Sequence, residues 1–514
     1  MRRHLSGALL LASCMGAMPA LAQHDPGVRG GISNTAGMLQ YRRIPIPHPP
    51  VISPNPTTGA TINDNELASF TEGINRAGQL ESTCDSCADV TMGSPVTGKG
   101  ELDPFFPQFH TNSNGLGARH NADQCFLCHA QPTLGGSGGF IVPNPGQPIP
   151  MLPENPMFRL VPHRFGKKNA VPPFEEQFGP IREVRFKYKP DGTRDGGVHQ
   201  LWVVTGINND PTIRSCTITQ PDFEAQQAAG NLSFRIPLPM LGLGLIDAIQ
   251  DREILSRHDA TAAQRTALGI AGHPNRSGND GTIGRFGWKA QNKSLLIFAG
   301  EAYNVEMGIS NELFPQDRPL PGEDQMGSGL PASCLGLAGT GYPEDITHTD
   351  GTNASTVSSD VALFAGFMEF LDQPTPSTSS PGGATSIANG RNLFHAIGCA
   401  TCHTPSLTTQ SSHLTPSLSN ATANLFSDIE LHHMGTGLAD NVSQGTAGGD
   451  QFRTAPLWGL GQRIFFLHDG RTNNLLTAIQ AHQSDGSEAT QVEENFDALS
   501  SSQQQDLLNF LRSL

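Results

Sequence analysis

The chain has 514 residues and a formal net charge of −15, which argues against nucleic acid as a partner because a phosphate backbone calls for a basic face. Apolar residues make up 37% and aromatic residues only 6%, while 57 glycines and 39 prolines point to short helices and loops rather than an aromatic-packed core. Past the N-terminus no stretch reaches the ~20 apolar residues of a membrane span.

In chain order, the first feature is an export signal. Met1-Arg2-Arg3-His4 is a basic start, an apolar run begins at Leu5–Leu11, and Ala20-Leu21-Ala22 is a cleavage site before Gln23. Leu11-Ala12-Ser13-Cys14 offers a minor alternative, a lipoprotein anchor at Cys14. Either way the predicted location is periplasmic. Residues 23–80 are rich in Pro, Gly and Asn and read as an extended arm. Two strand-like runs follow at Ile181–Tyr188 and Leu201–Val204. Gln373–Ala384 (QPTPSTSSPGGA) is a Pro/Ser/Gly linker. Ser386–Ile397 shows helical spacing of Ile387, Leu393, Phe394 and Ile397, and Gln503–Leu514 carries an apolar helical stripe.

Two segments carry the chemistry. Cys125-Phe126-Leu127-Cys128-His129 and Cys399-Ala400-Thr401-Cys402-His403 both read C-x-x-C-H. Two thiols three positions apart reach the two vinyl groups of one haem, and the adjacent His lies under its iron. Two such motifs behind an export signal favour covalent haem over a zinc site or a disulfide beside an incidental His. Haem would also supply the flat apolar surface that the aromatic content lacks. Cys84, Cys87, Cys216 and Cys334 remain, an even number that reads as structural disulfides in an oxidising compartment. Cys84-Asp85-Ser86-Cys87 lacks a following His, so it is not a third haem site; a redox-active pair is its alternative.

The order of motifs resembles the bacterial di-haem cytochrome c peroxidase superfamily, and more closely the exported di-haem oxidoreductases of its peroxidase-like ("thiol oxidoreductase") branch. Eight pieces in family order carry the resemblance: Gly115–Asn121, Gly135–Gly138, Gly284–Ala290, Glu306–Ile309, the second haem motif, Leu431–Gly435, Phe452–Leu457 and Leu467–Arg471. The resemblance implies a mainly α fold with two cytochrome c-like haem domains, the first enlarged by a loop-rich insertion with some β structure. The boundaries are a signal peptide at 1–22, an N-terminal haem domain at 23–372, a linker at 373–385 and a C-terminal cytochrome c domain at 386–514.

The resemblance also carries over three residues. Glu306, in an E-M-G segment, matches an acid–base glutamate over the peroxide-binding haem. Trp288, 18 residues earlier, matches a relay tryptophan between the haems. The family's methionine ligand of the second haem, fourteen residues after the H-D-G histidine, is replaced here by His482. His482 with His403 then makes a bis-His haem, which lowers its potential relative to His/Met ligation; Met434 is the alternative ligand. The first haem, on His129, reads as open or weakly held, or else ligated by His163 or His199.

The expected function is an exported di-haem c-type oxidoreductase, a cytochrome c peroxidase-like enzyme. It reduces peroxide at the N-terminal haem with electrons delivered through the C-terminal haem by a small redox protein. The alternatives are a haem-dependent oxygenase or oxidase on an organic substrate, and a non-catalytic electron carrier. Calcium is compatible with the family and has no support in the sequence.

Overall fold

The computed structural model describes residues 25–28, 64–78, 80–82, 112–114, 116–138, 155–160, 168–204, 218–315 and 359–514, with Cys216 and Cys334. The export signal at 1–22, Cys14, the Cys84/Cys87 pair, His163 and most of the 23–80 arm lie outside the described residues. Among the described residues no helix is long and apolar enough to cross a membrane.

The architecture is mainly helical, and its strands come in two-stranded pairs. The helices that place the site are α1 (Asp64–Ala77), α2 (Leu295–Glu306), α3 (Asp360–Phe370), α4 (Gly383–Ala396) and α5 (Ser501–Ser513). The strands that matter are β1 (Arg119–His120), β2 (Glu183–Phe186), β3 (Trp202–Val203) and β4 (Leu232–Arg235), with β1 antiparallel to β3 and β2 antiparallel to β4.

One hydrophobic core surrounds the first haem motif. Helix α1 crosses α3 at Gly73, where any side chain would run into the backbone of Leu363 and Phe367. Phe70 packs on Phe367 at 5.7 Å, and Phe126, inside the haem motif, meets the same ring edge-on at 5.6 Å. Arg76 and Asp360 close the crossing with a salt bridge at 3.1 Å. The mostly apolar α2 packs against α3 through Tyr303 and Phe364, 5.0 Å apart.

A second core belongs to the C-terminal region. Helix α5 starts with a capping box: Gln503 N donates to Ser500 Oγ at 3.4 Å and Ser500 N donates to Gln503 Oε1 at 3.0 Å. Its buried stripe of Leu507, Leu508, Phe510 and Leu511 faces α4. The helices cross at Gly390, which has no room for a side chain beside the Asp506 carbonyl, and Phe394 packs on Phe510 at 5.4 Å.

The sequence reading places α4 at 386–397 and the last helix at 503–514; the structure has Gly383–Ala396 and Ser501–Ser513. Helix α4 therefore begins inside the segment read as a linker. That segment is also tied down, since Gln373 Nε2 donates to Thr422 O at 3.0 Å and Ser377 N to Ser513 O at 2.7 Å. Pro, Ser and Gly mark a lack of apolar periodicity, not a lack of hydrogen-bond partners. The run read as a strand at 181–188 forms a strand over Glu183–Phe186 and then a single bridge from Tyr188 to Arg194, and the 201–204 run forms a strand over Trp202–Val203. Cys216 and Cys334 form a disulfide, which settles that pair among the four left over by the haem motifs.

Candidate functional site

Two large cavities lie beside the two C-x-x-C-H motifs. They hold about 1490 and about 1460 Å³ of atom-free space, mouths included. None of the four motif cysteines is in a disulfide, which leaves both pairs for a cofactor.

In the first cavity, Cys125–Leu127 form a single 3₁₀ turn, and His129 N closes onto Cys125 O at 3.1 Å. This turn brings Cys125, Cys128 and His129 to one wall. The His129 ring is held through Nδ1 to Gly136 O at 3.2 Å. The Gly135–Gly138 piece thus serves to aim a carbonyl at the histidine, and Gly136 has no space for a side chain beside Gln131 O. Burial pushes the His129 pKa down to about 4, which keeps the ring neutral, as an iron ligand must be.

Glu306 enters the same cavity as the last residue of α2. The helix stops there because Met307 caps it and Gly308 follows with φ +70°, the left-handed conformation that glycine adopts freely. Gly308 also lies against Gly117, so the E-M-G glycine and the Gly115–Asn121 piece need each other. The contact is stitched by Gly117 N to Met307 O at 2.8 Å and Asn121 N to Glu306 O at 2.6 Å. The Asn121 side chain then donates through Nδ2 to Glu306 Oε2 at 2.7 Å, while its Oδ1 accepts from Leu201 N at 2.8 Å. Burial, reinforced by the neighbouring Glu183 carboxyl, holds Glu306 well above the usual carboxylate range.

The second cavity is lined by Cys399, Cys402, His403, His468, His482 and Met434 among others. His403 Nδ1 donates to Phe426 O at 3.0 Å, and His482 Nδ1 donates to Ala478 O at 2.8 Å. Each ring therefore keeps Nε2 for another partner, the usual arrangement of an oriented ligand histidine. Phe426 has φ +52°, a strained conformation for a non-glycine residue that turns its carbonyl to this use. Burial pushes His403 down to about 4 and lowers His482 as well. His468 lies flat on Phe452, with ring centres 4.2 Å apart. Nearby, His432 is buried between Asp428 (3.0 Å) and Glu488 (2.9 Å) and lies 3.7 Å from Cys402 Sγ.

Trp288 lines both cavities. Its indole N–H donates to Ile236 O at 2.9 Å, Ile236 N donates to His468 O at 2.7 Å, and Arg453 N donates to Trp288 O at 2.9 Å. These bonds knit three of the sequence pieces into one partition wall. The Arg463 guanidinium lies 5.8 Å over the Trp288 ring, and its Nη2 is buried without a partner; so is Arg235 Nε at the first cavity. Two like-sized apolar cavities, free thiol pairs, neutral oriented histidines and leftover guanidinium donors suit two haems with acidic propionates.

The residues read from sequence fall into place around these cavities. Glu306 joins the first, His482 and Met434 join the second, and Trp288 touches both. His199, offered as a ligand of the first haem, does not line that cavity; its Nε2 is 2.9 Å from Asp195 Oδ2 and its ring stacks on Phe186 at 3.6 Å. Among the described residues, His129 is the one histidine lining the first cavity. Sequence reading missed Asn121 as the holder of Glu306, and missed Glu183 and Arg185, which sit in the cavity as ordinary charged residues of a short strand. It missed the Asp428–His432–Glu488 cluster too, although the i, i+4 pairing of Asp428 and His432 was there to see.

The family model described as "Di-haem oxidoreductase, putative peroxidase" matches residues 210–514. No significant match to a curated protein was found. Among solved structures, a MauG-like protein associated with microbial copper homeostasis is 17% identical, with a TM-score of 0.24, over 47% of this chain and 73% of that one. The diheme peroxidase BthA from Burkholderia thailandensis is 12% identical, with a TM-score of 0.24, over 45% of this chain and 65% of that one. Hydrazine synthase from Kuenenia stuttgartiensis is 18% identical, with a TM-score of 0.20, over 30% of this chain; the match spans 55% of that chain's length.

Proposed function

The chain belongs to the di-haem oxidoreductase family, and on that premise we propose that it is an exported peroxide reductase that binds two c-type haems covalently. Cys125, Cys128 and His129 hold the first haem; Cys399, Cys402, His403 and His482 hold the second. The first haem would bind peroxide and the second would take electrons from a donor, which is chemistry that haem iron supplies when bound. The overall reaction is H2O2 + 2 H⁺ + 2 e⁻ → 2 H2O, with a small redox protein as the one-electron donor. A net charge of −15 suits a basic donor surface.

The observation that carries this reading is the difference between the two cavities. In the second, two neutral histidines share one wall system, each with Nδ1 committed to a carbonyl. In the first, one such histidine is accompanied by a buried carboxyl instead of a second histidine among the described residues. That carboxyl, Glu306, would hold and return a proton of peroxide bound in this cavity, the bond-breaking chemistry being what a haem would supply there. Asn121 fixes the Glu306 oxygen that does not move the proton. Trp288 links the cavities and supports electron passage between them.

The test is spectroscopic and kinetic. The haem-loaded protein should show a high-spin signal that shifts with peroxide or carbon monoxide; two low-spin haems in every redox state would sink the enzyme reading. Glu306→Gln should keep both haems and slow peroxide turnover by ~10²-fold or more. Unchanged turnover removes Glu306 from the mechanism.

A further inference from the structure

A pair of histidines converges on one amide nitrogen, and none of the three residues lines either cavity. Strands β5 (Leu431–His433) and β6 (Gln451–Arg453) are antiparallel, and His433 lies directly opposite Gln451. His273 bridges to Leu431 of β5, with His273 N donating to Leu431 O at 3.0 Å and Leu431 N to His273 O at 2.8 Å. Side chains opposite or diagonal to one another across such a ribbon are within reach of contact. His273 Nε2 lies 2.8 Å and His433 Nε2 2.9 Å from Gln451 Nε2. The amide is fixed end for end, because Gly448 N donates to Gln451 Oε1 at 2.8 Å. Its nitrogen has only two N–H groups to give, so each ring turns a bare Nε2 to it. The ring protons then sit on Nδ1: His433 Nδ1 donates to Asp450 Oδ2 at 2.8 Å, and His273 Nδ1 to Pro274 O at 3.2 Å.

We propose that His273 and His433 bind a divalent transition-metal ion, copper(II) most tightly, and that the Gln451 amide is a plug which the ion displaces. Two imidazoles with lone pairs aimed at one point, each Nδ1–H held by a carboxylate or a carbonyl, are what such an ion requires. Imidazole donors favour copper(II), nickel(II) and zinc(II) over calcium or magnesium, with copper(II) first in order of affinity. Metal–imidazole bonds are about 2.0–2.1 Å long, so each ring closes in by less than ~1 Å once the amide swings aside. His433, its side chain 47% exposed, has room to move and opens the site to solvent. The Asp450 carboxylate behind it adds negative charge and makes the ring a stronger donor. Water completes the coordination. The site adjoins the second motif, since His432, next to His433 in the chain, lies 3.7 Å from Cys402 Sγ through its Nδ1. It shares no residue with the haem-attachment motifs and does not depend on the peroxide reading.

The experiment titrates the haem-loaded full chain with Cu²⁺ and, separately, with Zn²⁺ by calorimetry, and reads the nitrogen hyperfine coupling of bound Cu²⁺ by electron paramagnetic resonance. The variants are H273Q, H433Q, Q451A, D450N and, as a control, H413A at an exposed histidine elsewhere. The wild type should bind one Cu²⁺ at a site with two nitrogen couplings, and Zn²⁺ more weakly. H273Q and H433Q should each weaken Cu²⁺ binding by ~10-fold or more and leave one nitrogen coupling. D450N keeps both imidazoles and should weaken binding by about 10-fold. Q451A removes the plug and should tighten binding with both couplings kept, a gain that a general loosening of the fold would not give. H413A should bind as the wild type does. An unchanged haem spectrum and urea midpoint show that a variant is folded, and if H273Q is not, the half-exposed His433 decides the matter. The proposal is overturned if H433Q binds Cu²⁺ as tightly as the wild type, if H413A loses as much affinity as H433Q, or if Q451A binds more weakly than the wild type.

Discussion

His129, His403 and His482 are each held by a backbone carbonyl at Nδ1, and burial keeps each ring neutral. The first two were legible from C-x-x-C-H, because an adjacent His in that motif has one place to go. His482 was legible only by its distance from His468, and its companion carbonyl, Ala478 O, is one helical turn back, where sequence gives no sign. Replacing His482 with Ala should turn the second haem high-spin in the visible spectrum; a wild-type spectrum would move ligation to Met434. Glu175 is a buried carboxyl of another kind. It accepts from Asn155 Nδ2 at 2.5 Å, and burial raises it from an ordinary 4.5 to about 8. Its folded value lies above its unfolded one, so the unfolded chain loses this proton first as pH rises. The group therefore costs stability between pH 4.5 and about 8 and levels off above. Urea midpoints should show Glu175→Gln gaining on the wild type from pH 5 to 8 by this linkage; a constant gap would mean the carboxyl is not protonated in the fold.

At the scale of elements, close helix crossings are set by glycines rather than by the apolar stripes that sequence reading follows. The stripe on α5 was visible in advance; its capping box was not read. That α4 would meet it at Gly390 was not, because the fit depends on the Asp506 backbone across the crossing. Gly390→Ala should overpack this contact and cost about 1–3 kcal/mol, read as a fall in the urea midpoint with an unchanged slope. The short strands were the least legible elements. Glu183 and Arg185 look like solvent-facing residues of an alternating strand, and only the pairing with β4 and the position of α2 turn that face into a cavity wall.

At the scale of the molecule, the eight sequence pieces converge on the two cavities and the partition between them. Trp288→Phe should leave both haems in place and slow electron passage from the second to the first, measured by stopped-flow after peroxide is added to the reduced protein. An unchanged rate would leave Trp288 as packing alone. The Cys216–Cys334 disulfide closes a loop of 118 residues, and removing it should cost about 2–5 kcal/mol of stability. By itself the sequence picked out the local pieces: two C-x-x-C-H turns, the E-M-G segment with Glu306, and glycine-bearing pieces beside them. Such features lie within a few residues, where covalent geometry leaves few choices. The tertiary structure alone decided that Glu183 joins Glu306 at one cavity wall and that Trp288 stands between the cavities. Those contacts span long stretches of chain, and a pairing across such distance depends on how the cores pack, which no spacing records. The two motifs already read as unequal in sequence, through His482 and Glu306, and the fold sets each of those residues at the cavity of its motif.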